Sequence, residues 1–442
     1  MSASKNNKRV HIATFGCQMN NYDSDRLAGL LGQAGYQRVD QAEEADLVLL
    51  NTCSVRERAE HKVYSYVGAL KELKERRPHL IIGVGGCVAQ QEGQRLLDRI
   101  PHLDLVFGPG ALEQVPELVH DAARGRRRAL TPKDSQALPE TIRVPADPGL
   151  KALVTVMQGC DNFCSYCVVP YLRGRERSRP AGAVLEEVAR LVEAGAREVT
   201  LLGQNVNSYQ DPDTGTGFPN LLQKLSDVEG LWRLRFTTNH PKDLSAGLIE
   251  AMAGLPKVME QIHLPAQSGS DAVLEAMRRG YTRSQYLARV DQLRKRVPGV
   301  ALGGDMIVGF PGETQPDFGD SLSLLVAVRY DFLYSFKYSD RPFTLARRLP
   351  QKVSGEVKDR RLGELQAEQK KISLALHQEL VGQKVEVLVE GPAKKGDGLV
   401  TGRCRAGRAV NFTGGPDLKG RLVMVEVTEG RVNSLMGRLS QA

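Results

Sequence analysis

From Ala152 onward the chain repeats one pattern six times, a short apolar run followed by a longer segment whose apolar residues fall three and four positions apart. The runs lie at 153–157, 199–202, 234–237, 261–264, 304–308 and 332–337. Between the first two, Val184, Leu185, Val188, Leu191 and Val192 make one apolar helical stripe, with charged residues on the opposite face. Strands joined through helices pair in parallel, and six such units predict an incomplete version of the eight-unit βα barrel.

The same alternation occurs once before this. Runs at 10–15, 47–51, 80–84 and 105–107, with helical segments at 23–34, 64–75, 94–99 and 115–123, read as a βαβαβ pattern and a parallel sheet. We place this amino-terminal α/β domain at 8–125. Arg124, Arg126, Arg127 and Arg128, then Pro132, Pro139, Pro145 and Pro148, oppose regular structure and mark a linker at 126–145. The partial barrel is assigned to 146–374, including most of a polar helix over 354–380. Glycine-punctuated alternating runs at 385–389, 398–401, 409–412 and 422–427 predict a small antiparallel β-barrel, assigned to 375–440.

A chain of 442 residues with 41% hydrophobic residues is long enough for several cores. No apolar run approaches the ~20 residues that span a bilayer, and the start carries no secretory stretch, so a cytoplasmic protein is expected. The formal charge of +8 suits a polyanionic partner such as nucleic acid. Lys394, Lys395, Arg403, Arg405, Arg408, Lys419 and Arg421 concentrate that charge in the small barrel, a fold that often binds nucleic acid.

In a reducing compartment the seven cysteines read as metal ligands or reactive thiols rather than disulfides. Cys160, Cys164 and Cys167 fall within eight residues, just beyond the carboxyl end of the first barrel strand, where barrel enzymes place their sites. Three thiolates do not complete a tetrahedral zinc shell, and His240 and His263 lack zinc-finger spacing. A four-iron cluster held by three thiolates leaves one iron open to a substrate. Cys17, Cys53 and Cys87 each follow a strand of the first sheet, so a second cluster is expected there; the alternative is three separately buried small residues. Cys404 belongs to neither set and is expected to pack in the small barrel. The glycines of Gly83, Gly85 and Gly86 form no dinucleotide fingerprint, because Val88 stands where the last glycine belongs.

Taken together, Phe15-Gly16-Cys17-Gln18-Met19-Asn20, Asn51-Thr52-Cys53-Ser54-Val55-Arg56, Gly85-Gly86-Cys87, the 160–167 loop with Val168-Val169-Pro170-Tyr171, and Arg173 to Arg179 resemble the radical S-adenosylmethionine methylthiotransferases. Within them the resemblance is to the branch that acts on N6-dimethylallyl adenosine in tRNA; Leu202 to Tyr209 and His263 to Ser270 extend it over nearly the whole chain. The resemblance implies an amino-terminal methylthiotransferase domain, a radical core and a TRAM domain that grips tRNA. It implies two 4Fe-4S clusters, held by Cys160, Cys164, Cys167 and by Cys17, Cys53, Cys87. It also implies S-adenosylmethionine both as methyl donor and as source of a 5'-deoxyadenosyl radical. Expected partners are tRNA carrying isopentenylated adenosine and an electron donor such as flavodoxin or ferredoxin, with the enzyme a monomer.

Tyr166 in the cysteine loop, Gly203, Gln204 and Asn205 after the second core strand, Gln267 and Ser268 after the fourth, and Gly309, Pro311 and Glu313 after the fifth are assigned to S-adenosylmethionine. Polar and glycine residues at such positions also simply make turns. Where the family usually has glycine this chain has Phe343, expected to line or prop the substrate entrance. Sister families that modify threonylcarbamoyl adenosine or a ribosomal-protein aspartate are the nearest rival reading. A cysteine-rich RNA-binding protein without catalysis is the rival of another class.

Overall fold

The structure, a computed structural model, describes residues 8–54, 57–132 and 148–440. Its first unit is a six-stranded sheet of β1 (Lys8–Phe15), β2 (Tyr36–Arg38), β3 (Leu47–Thr52), β4 (Ile81–Gly86), β5 (Leu105–Phe107) and β6 (Arg128–Leu130), in the order β2-β1-β3-β4-β5-β6. Every pair is parallel. β3 and β4 are buried along their whole length. Their sequences are therefore continuous apolar runs rather than alternating ones. Val63, Val67 and Leu70 of helix Glu57–Arg76 cover one face of the sheet, and Leu27, Leu31, Leu118 and Val119 of two further helices cover the other.

Two strands of this sheet differ from the sequence reading. β6 lies inside the stretch read as linker at 126–145, and β2 was not anticipated. Both are three-residue edge strands paired on one side, so neither needs an apolar run. Pro139, Pro145 and most of that linker lie outside the described residues, as do Val55 and Arg56.

The six runs of the middle segment are all strands: β7 (Lys151–Thr155), then after a short antiparallel pair β8 (Met157–Gln158) and β9 (Arg177–Ser178), β10 (Glu198–Leu202), β11 (Arg233–Phe236), β12 (Gln261–His263), β13 (Ala301–Val308) and β14 (Phe332–Lys337). They form two parallel arcs, β7-β10-β11 and β12-β13-β14, joined by a bridge between Leu234 and Val258. Val154, Val199, Leu201, Leu234, Ile262 and Met306 point out into a core shared with the surrounding helices. The opposite faces of the strands line a cavity of about 990 Å³.

Helix Gly355–Gln378 packs along β14, and the domain boundary read at 374/375 falls inside it. A closed barrel follows: β15 (Lys384–Pro392), β16 (Leu399–Cys404), β17 (Ala409–Thr413), β18 (Leu422–Gly430) and β19 (Leu435–Leu439), in the order β15-β16-β17-β19-β18. It is not wholly antiparallel, because the unanticipated β19 closes it by pairing parallel to β17. Cys404 sits in its core with Val387, Val410 and Phe412. No described helix is long and apolar enough to cross a membrane.

Two buried arginines of β11, Arg233 and Arg235, fasten the small barrel. Arg233, 1% exposed, donates to the Arg403 carbonyl at 2.7 Å and to Glu386 Oε1 at 2.8 Å. Arg235 donates to the carbonyls of Arg405 and Cys404, each at 3.0 Å, and its Nε stands 3.1 Å from the buried Glu198 carboxylate. Removing Arg233 takes the donor from the Arg403 carbonyl and the partner from the partly exposed Glu386 carboxylate, which loosens the barrel on the core. Arg233→Ala is expected to speed amide exchange in β15 and β16 while leaving β3 and β4 protected; unchanged exchange in β15 and β16 would contradict this anchoring.

Candidate functional site

Register on the first sheet brings three cysteines together. Thr14 pairs with Asn51 and Asn51 with Gly85, so β1, β3 and β4 end side by side, and Cys17, Cys53 and Cys87 follow those ends. A Cβ on Gly16 would stand 2.9 Å from the Cβ of Cys53, and Gly86, at φ +90, would place one 2.3 Å from the Thr52 carbonyl. Only glycine permits that approach. Asn20 and Asn51 lock the three ends: Asn20 Nδ2 donates to Asn51 Oδ1 and to the Thr52 carbonyl, both at 3.1 Å, and Asn51 Nδ2 donates to the Asn20 carbonyl at 2.8 Å.

Cys17 caps helix Gln18–Gln33 and Cys87 opens helix Cys87–Glu92, so both sulfurs stand at helix amino termini, which favour anions. The Cys17 thiol is lowered to about 6, first by a hydrogen bond from Cys53, then, against burial, by Arg173 and neighbouring amides. Burial raises Cys87, with Arg173 opposing. Although protein surrounds much of it, Cys17 has an exposed surface because it opens onto the central cavity.

The second triad sits beyond β7. Gly159 N–H donates to Gln204 Oε1 at 2.6 Å, fixing the start of the loop, and Ser165 Oγ donates to the Ala276 carbonyl at 2.7 Å, fixing its middle. Cys160 and Cys164 are buried. Asn162 Nδ2 donates to Cys160 Sγ at 3.3 Å and Arg279 Nη1 to Cys164 Sγ at 3.4 Å. Burial, then the adjacent Cys164 and Cys160, push the Cys167 thiol up to about 12. Three thiols this close hold protons only until ligated iron replaces them. Among the described residues no three His, Cys, Asp or Glu side chains converge on a point that would hold a single ion. A four-iron cluster instead takes its thiolates on separate irons, and both donor sets, all thiol and partly cradled by N–H donors, fit that group.

Arg173, just past the second triad, joins the two. Its Nη2 reaches Asp23 Oδ2 at 2.8 Å, both side chains are buried, and the guanidinium faces Cys17 and Cys87. Cys87 also packs with Val168 and Leu172 from the same segment. A second buried group, Arg179 with Glu187 at 2.5 Å and Tyr22, ties the same two domains. The cavity runs from Cys17 through the barrel interior, past Leu153, Thr200, His263 and Phe332, to Arg403 and Arg408 of the small barrel. None of Cys160, Cys164 and Cys167 lines it.

The residues assigned to S-adenosylmethionine divide. Tyr166 packs beside Phe310 and Tyr338, and burial raises its hydroxyl. Gln204 Nε2 is buried with no hydrogen-bond partner among the described residues, and Gln267, at φ +73, is held by backbone bonds to β13. Gly203 lies over Met157, where a Cβ would stand 2.6 Å from Cγ. The others are engaged by protein. Asn205 bonds Asp243 Oδ2 and the His240 N–H, and Ser268 meets Ser321. Glu313 accepts from Gly309 N–H at 3.0 Å and pairs with Arg361 at 2.6 Å, so Gly309, Pro311 and Glu313 form a self-satisfied turn. Asn20, Asn51, Arg173 and Arg279 were not singled out from sequence, though the first three lie within the quoted motifs. The basic cluster of the small barrel also splits: Arg405 pairs with Glu260 at 2.7 Å and Arg408 with Asp331, whereas Lys394, Lys395, Lys419 and Arg421 make no ion pair with described residues.

Residues 9–108 match the uncharacterized protein family UPF0004, residues 154–325 the Radical SAM superfamily and residues 378–440 the TRAM domain. The chain is 50% identical over 437 residues to the tRNA-2-methylthio-N(6)-dimethylallyladenosine synthase of Syntrophotalea carbinolica, covering 97% of this chain and 99% of that one. The enzyme of that name from Geobacter metallireducens is 50% identical over 98% of each chain. The solved structure of the radical S-adenosylmethionine methyltransferase TsrM from Kitasatospora setae, with cobalamin and a 4Fe-4S cluster bound, aligns with a TM-score of 0.58 at 16% identity, over 89% of this chain and 80% of that one. The cobalamin-dependent radical enzyme OxsB aligns with a TM-score of 0.51 at 13% identity, over 83% of this chain and 56% of that one. These two structural likenesses show the fold alone.

Proposed function

The chain belongs to the radical S-adenosylmethionine tRNA methylthiotransferases named tRNA-2-methylthio-N(6)-dimethylallyladenosine synthase, and from that premise we propose how its own residues serve the reaction. The reaction places a methylthio group on carbon 2 of N6-dimethylallyl adenosine at tRNA position 37. The observation that carries the reading is that Cys17 opens onto the barrel cavity while Arg173, from the segment after the second triad, reaches back to Cys17 and Cys87.

Cys160, Cys164 and Cys167 would hold one 4Fe-4S cluster and Cys17, Cys53 and Cys87 the other. When bound, the first with S-adenosylmethionine supplies the 5'-deoxyadenosyl radical and the second supplies sulfur that another S-adenosylmethionine has methylated. Gln204 fixes the loop through the Gly159 N–H and keeps its remaining amide for the cofactor, to which Tyr166, Gly203 and Gln267 are also assigned. Asn205, Ser268, Gly309, Pro311 and Glu313 shape the loops that follow the core strands, through Asp243, His240, Ser321 and Arg361. Leu153, Phe236 and Phe332 give the cavity an apolar wall that excludes water and suits a dimethylallyl group. Lys394, Lys395, Lys419 and Arg421 take tRNA phosphates, so tRNA affinity falls steeply with salt. The enzyme works as a cytoplasmic monomer with a flavodoxin or ferredoxin as reductant.

Mass spectrometry of tRNA nucleosides after anaerobic incubation with the reconstituted enzyme, a reductant and S-adenosylmethionine tests the reading. Conversion of N6-dimethylallyl adenosine to its 2-methylthio form is expected. Modification of threonylcarbamoyl adenosine, or of a ribosomal-protein aspartate, in its place would overturn it.

A further inference from the structure

Three aromatic rings meet at the surface beside the second cysteine triad. Phe163 lies within that triad's loop, its centroid 6.1 Å from that of Tyr171, which in turn lies 6.2 Å from Phe343. Tyr171 is 41% and Phe343 55% exposed, so the row is open to solvent on one side. Phe163 and Phe343 both have left-handed backbones, at φ +45 and φ +69. That conformation is costly for a residue with a Cβ, and such strain gathers at working sites. The segment bearing Phe343 is pinned to the cysteine loop, since the Ala346 N–H donates to the Ser165 carbonyl at 2.8 Å.

The row is set among positive charge. The Arg175 guanidinium lies 5.4 Å from the Phe163 ring centre, paired with Asp161 at 2.8 Å yet with its side chain 73% exposed, and Arg347 and Arg348 stand exposed on the segment after Phe343. Exposed rings flanked by arginines suit an unpaired nucleobase, which offers a stacking face, joined to a phosphate that offers charge. A protein strand would satisfy the rings but not the surrounding cations.

We propose that Phe163, Tyr171 and Phe343 form a stacking platform for an unpaired tRNA base adjoining the modified adenosine. The proposal rests on the tRNA reading above and deepens it. The platform grips the neighbouring base, so the target adenosine is held at a fixed distance from the triad that Phe163 interrupts. Specificity for an anticodon-loop context then resides partly in these rings and not only in the small barrel.

The test uses reconstituted holoenzyme and an RNA hairpin containing N6-dimethylallyl adenosine, with 2-aminopurine or an abasic site at each neighbouring loop position in turn. Phe343→Gly relieves the left-handed strain while removing the ring, and Tyr171→Leu removes the middle ring. Each variant is expected to raise KM for the hairpin about tenfold, at the lower end of what stacking one base contributes, with a smaller change in kcat. At one position the 2-aminopurine quenching of the native enzyme should disappear in both variants, and the abasic hairpin should no longer distinguish variant from native enzyme. Retained quenching with unchanged KM, while the native enzyme still forms methylthiolated adenosine, would overturn the platform and leave the function standing. Loss of iron from both variants would also overturn it, because the rings would then merely prop the cluster loop. Failure of the native enzyme to methylthiolate the hairpin or intact tRNA would instead overturn the function on which the platform depends.

Discussion

Replacing Cys17, Cys53 and Cys87 together with alanine is expected to remove about half the bound iron, as two equal three-thiolate clusters require, and to abolish methylthiolated adenosine. The variant should still cleave S-adenosylmethionine to 5'-deoxyadenosine and methionine, because among the described residues no group of the first sheet hydrogen-bonds the loop of Cys160, Cys164 and Cys167. That loop is fixed instead by Gln204, Arg279 and the Ala276 carbonyl, all within the barrel. The fold should survive as well. The three cysteines sit past the strand ends, and the sheet's cores are built from Val48, Leu50, Ile82 and Val84 on one face and Leu47, Leu49 and Leu105 on the other. Replacing Cys160, Cys164 and Cys167 should have the complementary effect, ending deoxyadenosine formation while keeping the other half of the iron. Iron content and deoxyadenosine are measured on the same anaerobic preparations. Full iron content and continued tRNA thiolation in the first variant would sink the assignment.

How far the sequence foretold this site depends on how local each feature is. The six core strands could be read because each is a short strand-forming run between helical segments, and the cysteines because each triad follows such runs. β2 and β6 could not, since a three-residue edge strand such as Arg128–Leu130 carries no periodicity. β19 escaped for another reason: Leu435–Leu439 closes the barrel on β17 by a non-local pairing that its own residues do not announce. The helix expected to begin at residue 23 starts at Gln18, because Met19, Asn20, Tyr22 and Asp23 are buried against the strand ends and the radical core rather than forming an apolar stripe.

Polar residues were harder to judge than apolar ones. Glu313 follows a core strand where a cofactor ligand would stand, yet its carboxylate is taken by Arg361, 48 residues downstream. Arg233 reaches Arg403 across 170 residues, and Arg279 reaches Cys164 across 115. Such pairings exist only once the chain has folded, and neither spacing nor composition encodes them. Gly16 and Gly86 entered the sequence reading only as letters of the quoted motifs, and the structure supplies their reason, since the backbone there passes within contact of Cys53 and Thr52.

Arg173→Met is expected to be strongly destabilising. It leaves Asp23 buried and unpaired between two domains, which costs about 3–5 kcal/mol when one partner of a buried pair is removed. The native pair is 4% and 6% exposed at the side chains, so solvent screening offers little relief. Removing both charges together costs far less, because neither ion then has to be desolvated alone. Arg173→Met with Asp23→Leu should therefore recover most of the melting temperature lost in Arg173→Met, giving a strongly non-additive double-mutant cycle. Recovery of the fold should not restore the site. Arg173 brings its positive charge to Cys17 and Cys87, so the double variant, though stable, should hold less iron at that triad while keeping iron at Cys160, Cys164 and Cys167. It should form 5'-deoxyadenosine at near-native rate and methylthiolated adenosine slowly. Additive effects on melting, or equal loss of iron from both triads, would show that Arg173 merely fills space at the domain boundary. A stable protein with its two activities uncoupled would show that this arginine joins the sulfur-bearing site to the radical-bearing one.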